Sequence, residues 1–439
     1  MSDYSIAVKY AMIFFMVTMS IEWILGKWMK KTIYNPMDTI SSISSGMTNN
    51  VKSILKLSIV IISYQWMYEY LKLFQIGSQW YVYVIAFIGI DFASYWSHRW
   101  NHEYNILWNK HIIHHSSEEF NLACALRQSI SDVVHIYFFL YIPMALIGIP
   151  PKVISILLPL HLFAQFWYHT RLIGKMGFLE HIIVTPSHHR VHHAINERYI
   201  DKNYAAIFIF WDKWFGTFQE ELIDEPAVYG IKKPAKTWNP IVINYMHMFQ
   251  LLKDAWHTKK WIDKIKIWFM PTGWRPNDVK NANPLEIIED PYNYKKYNTK
   301  KDTPLLLWSS FQLIFHLGMQ FHLIYIIGYI GHDFSYDQAS FIDIINGYQI
   351  FILYGLFFIL SVWSLTSLMD RSPIMYLPIE IIKFFVGVYL ISSQPEILSI
   401  YENIYIPKLI IMIYLGISLL ISVYYSFLSK EKPELGLSN

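Results

Sequence analysis

Three short histidine clusters, all between residues 98 and 193, constrain this 439-residue chain more than any other feature. Within each cluster the histidines are adjacent or three to four residues apart, and a helix places residues at these spacings on one face. The clusters are His98-x3-His102, His111-x2-His114-His115 and His189-x2-His192-His193. The pattern predicts that these eight imidazoles converge from a few helix ends.

The number of these histidines indicates what they bind. Neutral imidazole is the commonest metal ligand among side chains. Structural zinc takes four ligands and catalytic zinc three plus water, so the clusters exceed the needs of one zinc ion. Iron with histidine ligands and open positions carries out oxygen chemistry. An isolated histidine is usually a hydrogen-bonded polar residue, but so many packed imidazoles without a metal would cost desolvation and mutual repulsion. We therefore predict a centre of two metal ions.

Two further histidines bear on the ligand set. His169 ends the segment Gln165-Phe-Trp-Tyr-His169 at the close of an apolar run, which makes it a candidate ninth ligand. The alternative is a simple interfacial histidine, with Gln165 as a neighbour one helical turn earlier. His188 competes with His189 by spacing, but only His189 reproduces the His-x2-His-His pattern. We expect His189 to be the ligand and His188 to support it.

Two carboxylates near the clusters are candidates to orient the ligands. A metal-bound imidazole usually donates its second N–H to a carboxylate or a carbonyl oxygen. Asp91 precedes His98 by seven residues, about two helical turns on the same face. Glu103 directly follows His102. We predict that Asp91 and Glu103 act beside the metal ligands.

The composition places the chain in a membrane. It is 54% hydrophobic and 16% charged, whereas soluble domains are about 25% charged. The net charge of +3, with no long basic tract, argues against a nucleic-acid partner. The single cysteine, Cys124, excludes a disulfide framework and a thiolate metal site. The first apolar segment carries no cleavage signature and is predicted to be a retained helix.

Several apolar runs are long enough to cross about 30 Å of hydrocarbon. They lie near residues 8–26, 56–76, 78–97, 129–149, 152–170, 304–330, 345–369, 374–393 and 404–428. The predicted fold class is therefore all-α, a polytopic membrane protein of about nine transmembrane helices. The histidine-rich dimetal site is expected in a cytoplasmic helical cap.

The spacing of these runs divides the chain into four predicted regions. These are N-terminal transmembrane helices (1–77), a catalytic core with the histidine clusters (78–220), a cytoplasmic or interfacial segment (221–303) and C-terminal transmembrane helices (304–439).

Positive charge near the ends of spans predicts orientation. The connection 27–57 carries five lysines, whereas 331–344 and 393–403 carry acidic residues and no Lys or Arg. Placing 27–57 inside also puts the tail with Lys430 and Lys432 inside and all three histidine clusters on the cytoplasmic side. A bacterial inner membrane or the endoplasmic reticulum would suit this arrangement.

The segment 256–269 has amphipathic helical character. Its apolar side chains share one face, and its lysines lie mostly elsewhere; the apolar members are Trp261, Ile262, Ile265, Trp268 and Phe269. This pattern fits a helix lying in the membrane interface. A helix that packs its apolar stripe on the cytoplasmic region is the alternative.

The connecting stretches between the clusters carry a family resemblance. They are Asp91-Phe-x2-Tyr-Trp-x-His-Arg-x2-His-Glu103, His114-His-Ser-Ser-Glu-x2-Asn-Leu-x2-Ala-Leu-Arg-Gln-Ser129, Gln165-Phe-Trp-x-His-Thr170, Thr185-Pro-Ser-His-His-Arg-Val-His-His193, Ile200-Asp-Lys-Asn-Tyr-Ala205 and Trp211-Asp-Lys-x-Phe-Gly-Thr-Phe218. The ordered histidine set resembles the fatty acid hydroxylase/sterol desaturase superfamily of diiron membrane oxygenases. The connecting stretches resemble its alkylglycerol monooxygenase members over nearly the whole chain.

This resemblance implies a reaction and a cofactor set. The reaction is O2-dependent hydroxylation of the ether-linked carbon of an alkylglycerol-type membrane lipid, which gives a fatty aldehyde and a glycerol derivative. Two iron ions and an electron donor, tetrahydrobiopterin, are implied. The eight cluster histidines inherit the iron-ligand role, His169 joins them from hydroxylase relatives, and Glu103 inherits an essential acidic position.

Other interpretations stay open from the sequence. A diiron hydroxylase or desaturase could act on a sterol, carotenoid or fatty acyl chain. A dizinc lipid hydrolase would use similar ligands, whereas a metal transporter would place its histidines mid-span. Asn121 and Arg127 are candidates to bind a lipid headgroup, with a purely structural role as the alternative.

Overall fold

The protein is built almost entirely of helices. The structure is a computed structural model that describes residues 3–300, 302–330, 349–393, 399–401 and 404–428. The helices before residue 200 are α1 (Asp3–Trp28), α2 (Pro36–Ile54), α3 (Tyr64–Leu71), α4 (Trp80–Glu103), α5 (Asn105–Trp108), α6 (Ile112–His115), α7 (Ile142–Leu146), α8 (Pro151–Phe163) and α9 (Pro186–His192). Those after it are α10 (Phe210–Trp214), α11 (Pro240–His257), α12 (Trp261–Phe269), α13 (Asn277–Ala282), α14 (Thr303–Ile330), α15 (Gln349–Met369), α16 (Pro373–Ser393) and α17 (Lys408–Leu428).

Strands and 3-10 turns are short additions to this helical framework. The strand β1 (Ile59–Val60) pairs in parallel with β2 (Val134–His135), and β3 (Ser399–Tyr401) pairs antiparallel with β4 (Ile404–Tyr405). The 3-10 turns are Cys124–Leu126, Ile136–Tyr141, Gly177–His181 and Glu197–Tyr199. The predicted helical fold class therefore agrees with the structure.

Five helices within the described residues are long and apolar enough to cross a membrane, fewer than the nine runs in the sequence. They are Tyr10–Trp28, Thr303–Ile327, Gln349–Met369, Pro373–Ser393 and Lys408–Leu428. These match the first and the last four predicted spans. The count of nine is not confirmed, and neither is the cytoplasmic cap.

Three of the other four apolar runs form no long helix, and the fourth forms one that its length and apolarity do not mark as a span, each for an identifiable reason. The run 56–76 is interrupted at Ser63, whose side chain accepts a hydrogen bond from the backbone of Trp66 and starts a helix of only eight residues. Residues 129–149 form β2, a 3-10 turn and the five-residue α7. The helix α8 has 13 residues, about 20 Å, and is too short to span. The run 78–97 does form the 24-residue α4, but this helix buries Asp91 and ends in the first histidine cluster.

The C-terminal helices form a bundle with its own apolar core. Leu323, Phe351 and Leu415 are fully buried in that core, and Val51 of α2 and Leu55, its C-cap residue, extend it. Gly355 of α15 permits this contact, because a Cβ there would lie 2.3 Å from a methyl carbon of Leu55. The helix α2 is therefore packed directly on the bundle.

The opposite side of α2 is polar and holds the region that carries the histidines. Asn35 caps the helix by accepting from the backbone of Met37. Asp38 forms an ion pair with Arg127 at 2.7 Å, with both side chains buried. Lys52 donates to the backbone oxygens of Ser129 and Asp132. The predicted region boundaries at 77, 220 and 303 stay predictions. The helix α2, however, contacts both the C-terminal bundle and the region that carries the histidine clusters.

Orientation in a membrane also stays a prediction. The connection 331–344, most of 393–403, and Lys430 and Lys432 lie outside the described residues. The lysines of the 27–57 connection are within the described part, and Lys52 there is buried rather than free at a membrane surface.

Arg127→Ala should lower the free energy of unfolding by about 3–5 kcal/mol, because it leaves the Asp38 carboxylate buried without its partner. Arg198→Ala is the matched control, since Arg198 is largely exposed and pairs with Glu225 at 3.6 Å; it should cost less than about 1 kcal/mol. Thermal or denaturant unfolding in detergent measures both. Equal losses of unfolding free energy in the two variants would contradict a role for the Asp38–Arg127 pair in joining α2 to the region that carries the histidine clusters.

Candidate metal centre

The nine histidines predicted as ligands converge into two neighbouring groups. One group holds five: His98, His102, His111, His115 and His192. The other holds four: His114, His169, His189 and His193. Within each group the candidate ligand atoms lie within 4.8 Å of one another. The groups adjoin, since the stacked rings of His115 and His193 have centroids 4.3 Å apart.

Short helices and turns, rather than long helices, supply most of these side chains. His98 and His102 lie on the last turns of α4, as their spacing predicts. The second cluster sits on the four-residue α6, with His111 at its N-cap. The third lies on α9, where Thr185 caps the helix and the His188 ring accepts from the Thr185 backbone. His188 therefore supports the helix, and His189 faces the centre.

Backbone carbonyl oxygens fix the orientation of several rings. The Nδ1 atoms lie 2.7 to 3.3 Å from carbonyl oxygens in four cases: His98 with Tyr204, His114 with Arg127, His169 with Gln165 and His192 with Lys202. A carbonyl oxygen only accepts, so Nδ1 carries the hydrogen and donates it. The Nε2 atom of each of these neutral rings then keeps its lone pair for a metal.

The spacing of the Nε2 atoms fits shared metal ions. His98 and His111 approach to 2.8 Å, His169 and His189 to 2.8 Å, and His189 and His193 to 3.0 Å. Two nitrogens bound at about 2.1 Å to one ion and at right angles would lie about 3 Å apart. Within the described residues, buried Nε2 atoms of His102, His115 and His192 have no hydrogen-bond partner. The donor set consists of imidazoles alone, and three of its buried nitrogens have no hydrogen-bond partner. This set therefore fits two metal ions.

Burial keeps eight of these imidazoles neutral. Desolvation, followed by repulsion from neighbouring histidines, lowers the pKa of His98 and His114 to about 3. The same causes hold the pKa of six more well below 6.5; they are His111, His115, His169, His189, His192 and His193. Neutral imidazole is the form that binds metal, so no proton has to be displaced near neutral pH.

Asp91 does not contact a cluster histidine, which corrects its predicted role. The buried carboxylate accepts from His161 Nε2 at 2.7 Å, from the backbone N–H groups of Ile207 and Phe208, and from Trp211 Nε1. It thereby ties α4 to α8 and to the segment after Tyr204. The carboxylate acts on the framework that carries the ligands rather than on a ligand.

Glu103 also differs from its prediction. Its side chain pairs with Arg99 at 2.8 Å, one turn earlier on α4, and has no histidine partner among the described residues. The carboxylate nearest to a ring of the first cluster belongs to Asp201, 3.8 Å from His102 Nδ1. The essential acidic role implied for Glu103 by resemblance stays a proposal.

The candidate headgroup residues are engaged inside the protein. Asn121 donates to the Ile33 carbonyl and accepts from the Ala123 backbone. The Arg127 guanidinium donates to Ser42, Ser116 and Asp38. Both side chains are buried, so the structural alternative accounts for them.

Asp212 is a site residue that the sequence analysis missed. Its buried carboxylate accepts from the backbone N–H groups of Tyr204 and Ala205 and from the Thr217 hydroxyl. Burial raises its pKa to about 6 despite these bonds. Asp212 thereby holds the backbone at Tyr204, whose carbonyl oxygen orients His98. The quoted motif around Trp211 contained this residue, but its spacing from the clusters gave no sign of contact.

Asp91→Asn should destabilise the protein by about 1–3 kcal/mol, because the new amide places a donor where four N–H groups point. Bound metal should be lost at lower denaturant or temperature than in the wild type. Asp224→Asn is the control, since Asp224 is exposed. Metal analysis combined with an unfolding titration measures both effects. Wild-type stability and metal retention in Asp91→Asn would refute the role of Asp91 in tying α4 to α8 and to the segment after Tyr204.

The metal-free protein should lose stability as the pH falls below about 6.5. The unfolded chain takes up protons there, whereas folded His98 and His114, with pKa near 3, do not. Each such group contributes a slope of up to about 1.4 kcal/mol per pH unit between these values and none above 6.5. Thermal unfolding of metal-free protein from pH 5 to 8 measures this slope. A midpoint that rises on acidification would contradict neutral, desolvated imidazoles.

Comparison with known proteins agrees with this geometry. The sequence model of the fatty acid hydroxylase family matches residues 83–217. The chain is 37% identical to human alkylglycerol monooxygenase over 370 residues, which are 83% of this chain and 78% of the human protein. It is 34% identical to the Xenopus tropicalis alkylglycerol monooxygenase over 72% of this chain and 70% of that protein.

A third relative is the Danio rerio alkylglycerol monooxygenase, 37% identical over 57% of this chain and 55% of that protein. No solved structure shows a significant match. The similarity covers the histidine clusters and extends well beyond them. The chain therefore belongs to the alkylglycerol monooxygenase family and is a fatty acid hydroxylase-type membrane monooxygenase.

Proposed function

We propose that this enzyme hydroxylates the ether-linked carbon of alkylglycerol-type lipids at a diiron centre. The observation that carries the proposal is the convergence of nine imidazoles into two adjacent groups, in a chain whose relatives are alkylglycerol monooxygenases. The five-histidine group would hold one iron ion and the four-histidine group the other. Iron bound there supplies the activation of O2, with electrons from a donor such as tetrahydrobiopterin.

The residues of this chain have three tasks in that reaction. Backbone carbonyls hold four of the rings in one tautomer, so that their Nε2 lone pairs are free for a metal. The surrounding aromatic and apolar residues exclude water; Phe120, Tyr168 and Tyr204 are almost completely buried and lie against the rings. Burial keeps eight of the imidazoles from taking up protons near neutral pH. Catalysis at such a centre depends on preorganised ligands and a dry cavity.

The overall reaction balances with one equivalent of O2. The C–H bond next to the ether oxygen becomes C–OH, and O2 with two electrons and two protons also yields one water. The resulting hemiacetal collapses with cleavage of the carbon–oxygen bond to the glycerol side. The products are a fatty aldehyde and a glycerol derivative.

An apolar groove offers surface for an alkyl chain. It has a volume of about 290 Å³, lies between α4 and α8, and is lined by Tyr83, Val84, Phe87, Ile88, Leu157 and Phe208. Val84 and His98 lie on one face of α4, two heptads apart, so the groove is about 15–22 Å along the helix from the cluster. That separation matches the length of an extended alkyl chain of a membrane lipid.

Another lipid substrate is the alternative, with the same centre acting on a sterol, carotenoid or fatty acyl chain. The histidine geometry does not distinguish these substrates. The relatives favour the alkylglycerol reaction, and direct competition between labelled alkylglycerol and the other lipids decides between them.

Purified, iron-loaded protein should convert labelled alkylglycerol to fatty aldehyde only when O2 and a reductant are present, and tetrahydropterin should support turnover. Omission of each component tests its requirement. Turnover of another lipid in preference to alkylglycerol would reject the substrate, and turnover without O2 would reject the reaction class.

His102→Ala and His193→Ala, one from each histidine group, should lower turnover roughly a hundredfold or more and reduce bound iron below two ions per chain. Each substitution removes an inward lone pair from a different ion. His181→Ala is the control, because His181 is exposed and belongs to neither group. Full activity of either cluster variant would reject the assigned ligands.

A further inference from the structure

A large apolar surface lies outside the five candidate membrane spans, on α11 and α12. Six side chains form it, and we call it the α11–α12 surface. They are Phe249, Trp256, Trp261, Ile262, Ile265 and Phe269. The two tryptophans are about four-fifths exposed, at 81% and 79%. Large exposed apolar side chains gathered on two consecutive helices indicate an interaction site rather than ordinary surface variation.

The apolar side chains of α12 occupy one arc of the helix. At about 100° per residue, Trp261, Ile265, Phe269 and Ile262 fall within an arc of about 100°. Ile267 lies on the opposite face, fully buried against the protein. Four of the five residues of the predicted stripe thus point away from the protein, and Trp268 at its edge is half-buried. The alternative in which the whole stripe packs on the protein is therefore wrong.

Lysines border this surface. Lys253, Lys259, Lys260 and Lys266 are exposed around it. Lys264 bends back instead, and its Nζ donates to the carbonyl oxygens of Ala255 and Trp256. An apolar arc with tryptophan and a basic margin fits a helix in the lipid–water interface, with the lysines toward anionic headgroups. A protein partner would not account for the basic margin as directly.

The backbone around α12 is fastened to the end of α4. Asn105 Nδ2 donates to the carbonyl oxygens of Ile267 and Trp274 at 2.9 and 3.0 Å. The Asn105 backbone N–H donates to the Met270 carbonyl, and the Thr272 N–H donates to that of Glu103. Asn105 follows His102 by three residues, and its side chain is fully buried. A displacement of α12 therefore moves the end of α4 that carries the first histidine cluster.

We propose that α12 lies flat in the interface of an anionic membrane and sets the depth of the metal centre through Asn105. The centre is thereby held near the boundary between headgroups and hydrocarbon. If the proposed function is correct, this is the depth of the ether-linked carbon of an alkylglycerol, next to its polar headgroup. The position of α12 itself does not depend on the reaction.

Spin labelling of the full-length protein in lipid nanodiscs tests this placement without turnover. Cys124, the single native cysteine, is fully buried, so a label enters at an introduced cysteine. Ile265→Cys and Trp261→Cys report on the apolar arc, and Lys280→Cys on the exposed face of α13 is the aqueous reference. Collision rates with O2 and with a water-soluble nickel chelate give the depth of each label.

Labels at 265 and 261 should collide more with O2 and several-fold less with the nickel chelate than the label at 280. Replacing zwitterionic lipid with a mixture containing phosphatidylglycerol should deepen the first two labels and leave the third unchanged. Nickel accessibility at 265 equal to that at 280 would overturn the proposal. Protection of 265 from both reagents would also overturn it, because it would indicate a protein partner.

Discussion

The structure depends on bringing nine imidazoles together in one mostly buried site with their rings correctly oriented. Their mutual proximity would be destabilising if they carried charge, and burial makes each protonation costlier. Hydrogen bonds to the carbonyls of Tyr204, Arg127, Gln165 and Lys202 settle the tautomer, so that each of these rings presents Nε2 inward. These are backbone groups, so the positions of loops and turns, more than the identity of neighbouring side chains, determine the ligand geometry.

Buried carboxylates in turn hold those loops in place. Asp212 fixes the backbone at Tyr204. Asp91 fixes the backbone at Phe208 and also binds His161 of α8. Each carboxylate accepts several hydrogen bonds from N–H or O–H groups. These bonds satisfy the hydrogen-bonding capacity of its oxygens without a cationic partner. Asp91 thereby joins α4, which carries His98, to α8, which precedes the segment with His169, although neither ring touches it. A ligand set drawn from four separate segments needs such ties, because no single helix spans it.

The histidine clusters were predictable from sequence because their spacing and number leave few other uses for them. All nine predicted ligands meet, and His189 rather than His188 faces the centre. The supporting roles were not predictable in the same way. Asp91 has helical spacing to His98 yet points to His161, since α8 and the segment after Tyr204 occupy that face. The count of nine spans is not confirmed, because hydropathy sums over a run, whereas one cap at Ser63 or a proline-rich turn ends a helix locally.

The C-terminal bundle lies far from the chemistry in sequence, yet packing connects it to the second cluster. Leu55, the C-cap residue of α2, lies against Gly355 of the bundle, and Asp38 at the other end of the helix binds Arg127. The Arg127 carbonyl accepts from His114 Nδ1, so the same residue joins α2 to a predicted ligand. A buried pair such as Asp38–Arg127 contributes more to a unique arrangement than to net stability, because its desolvation offsets much of its attraction. On this argument the bundle is a rigid support whose position, transmitted through α2, sets the orientation of the His114 ring.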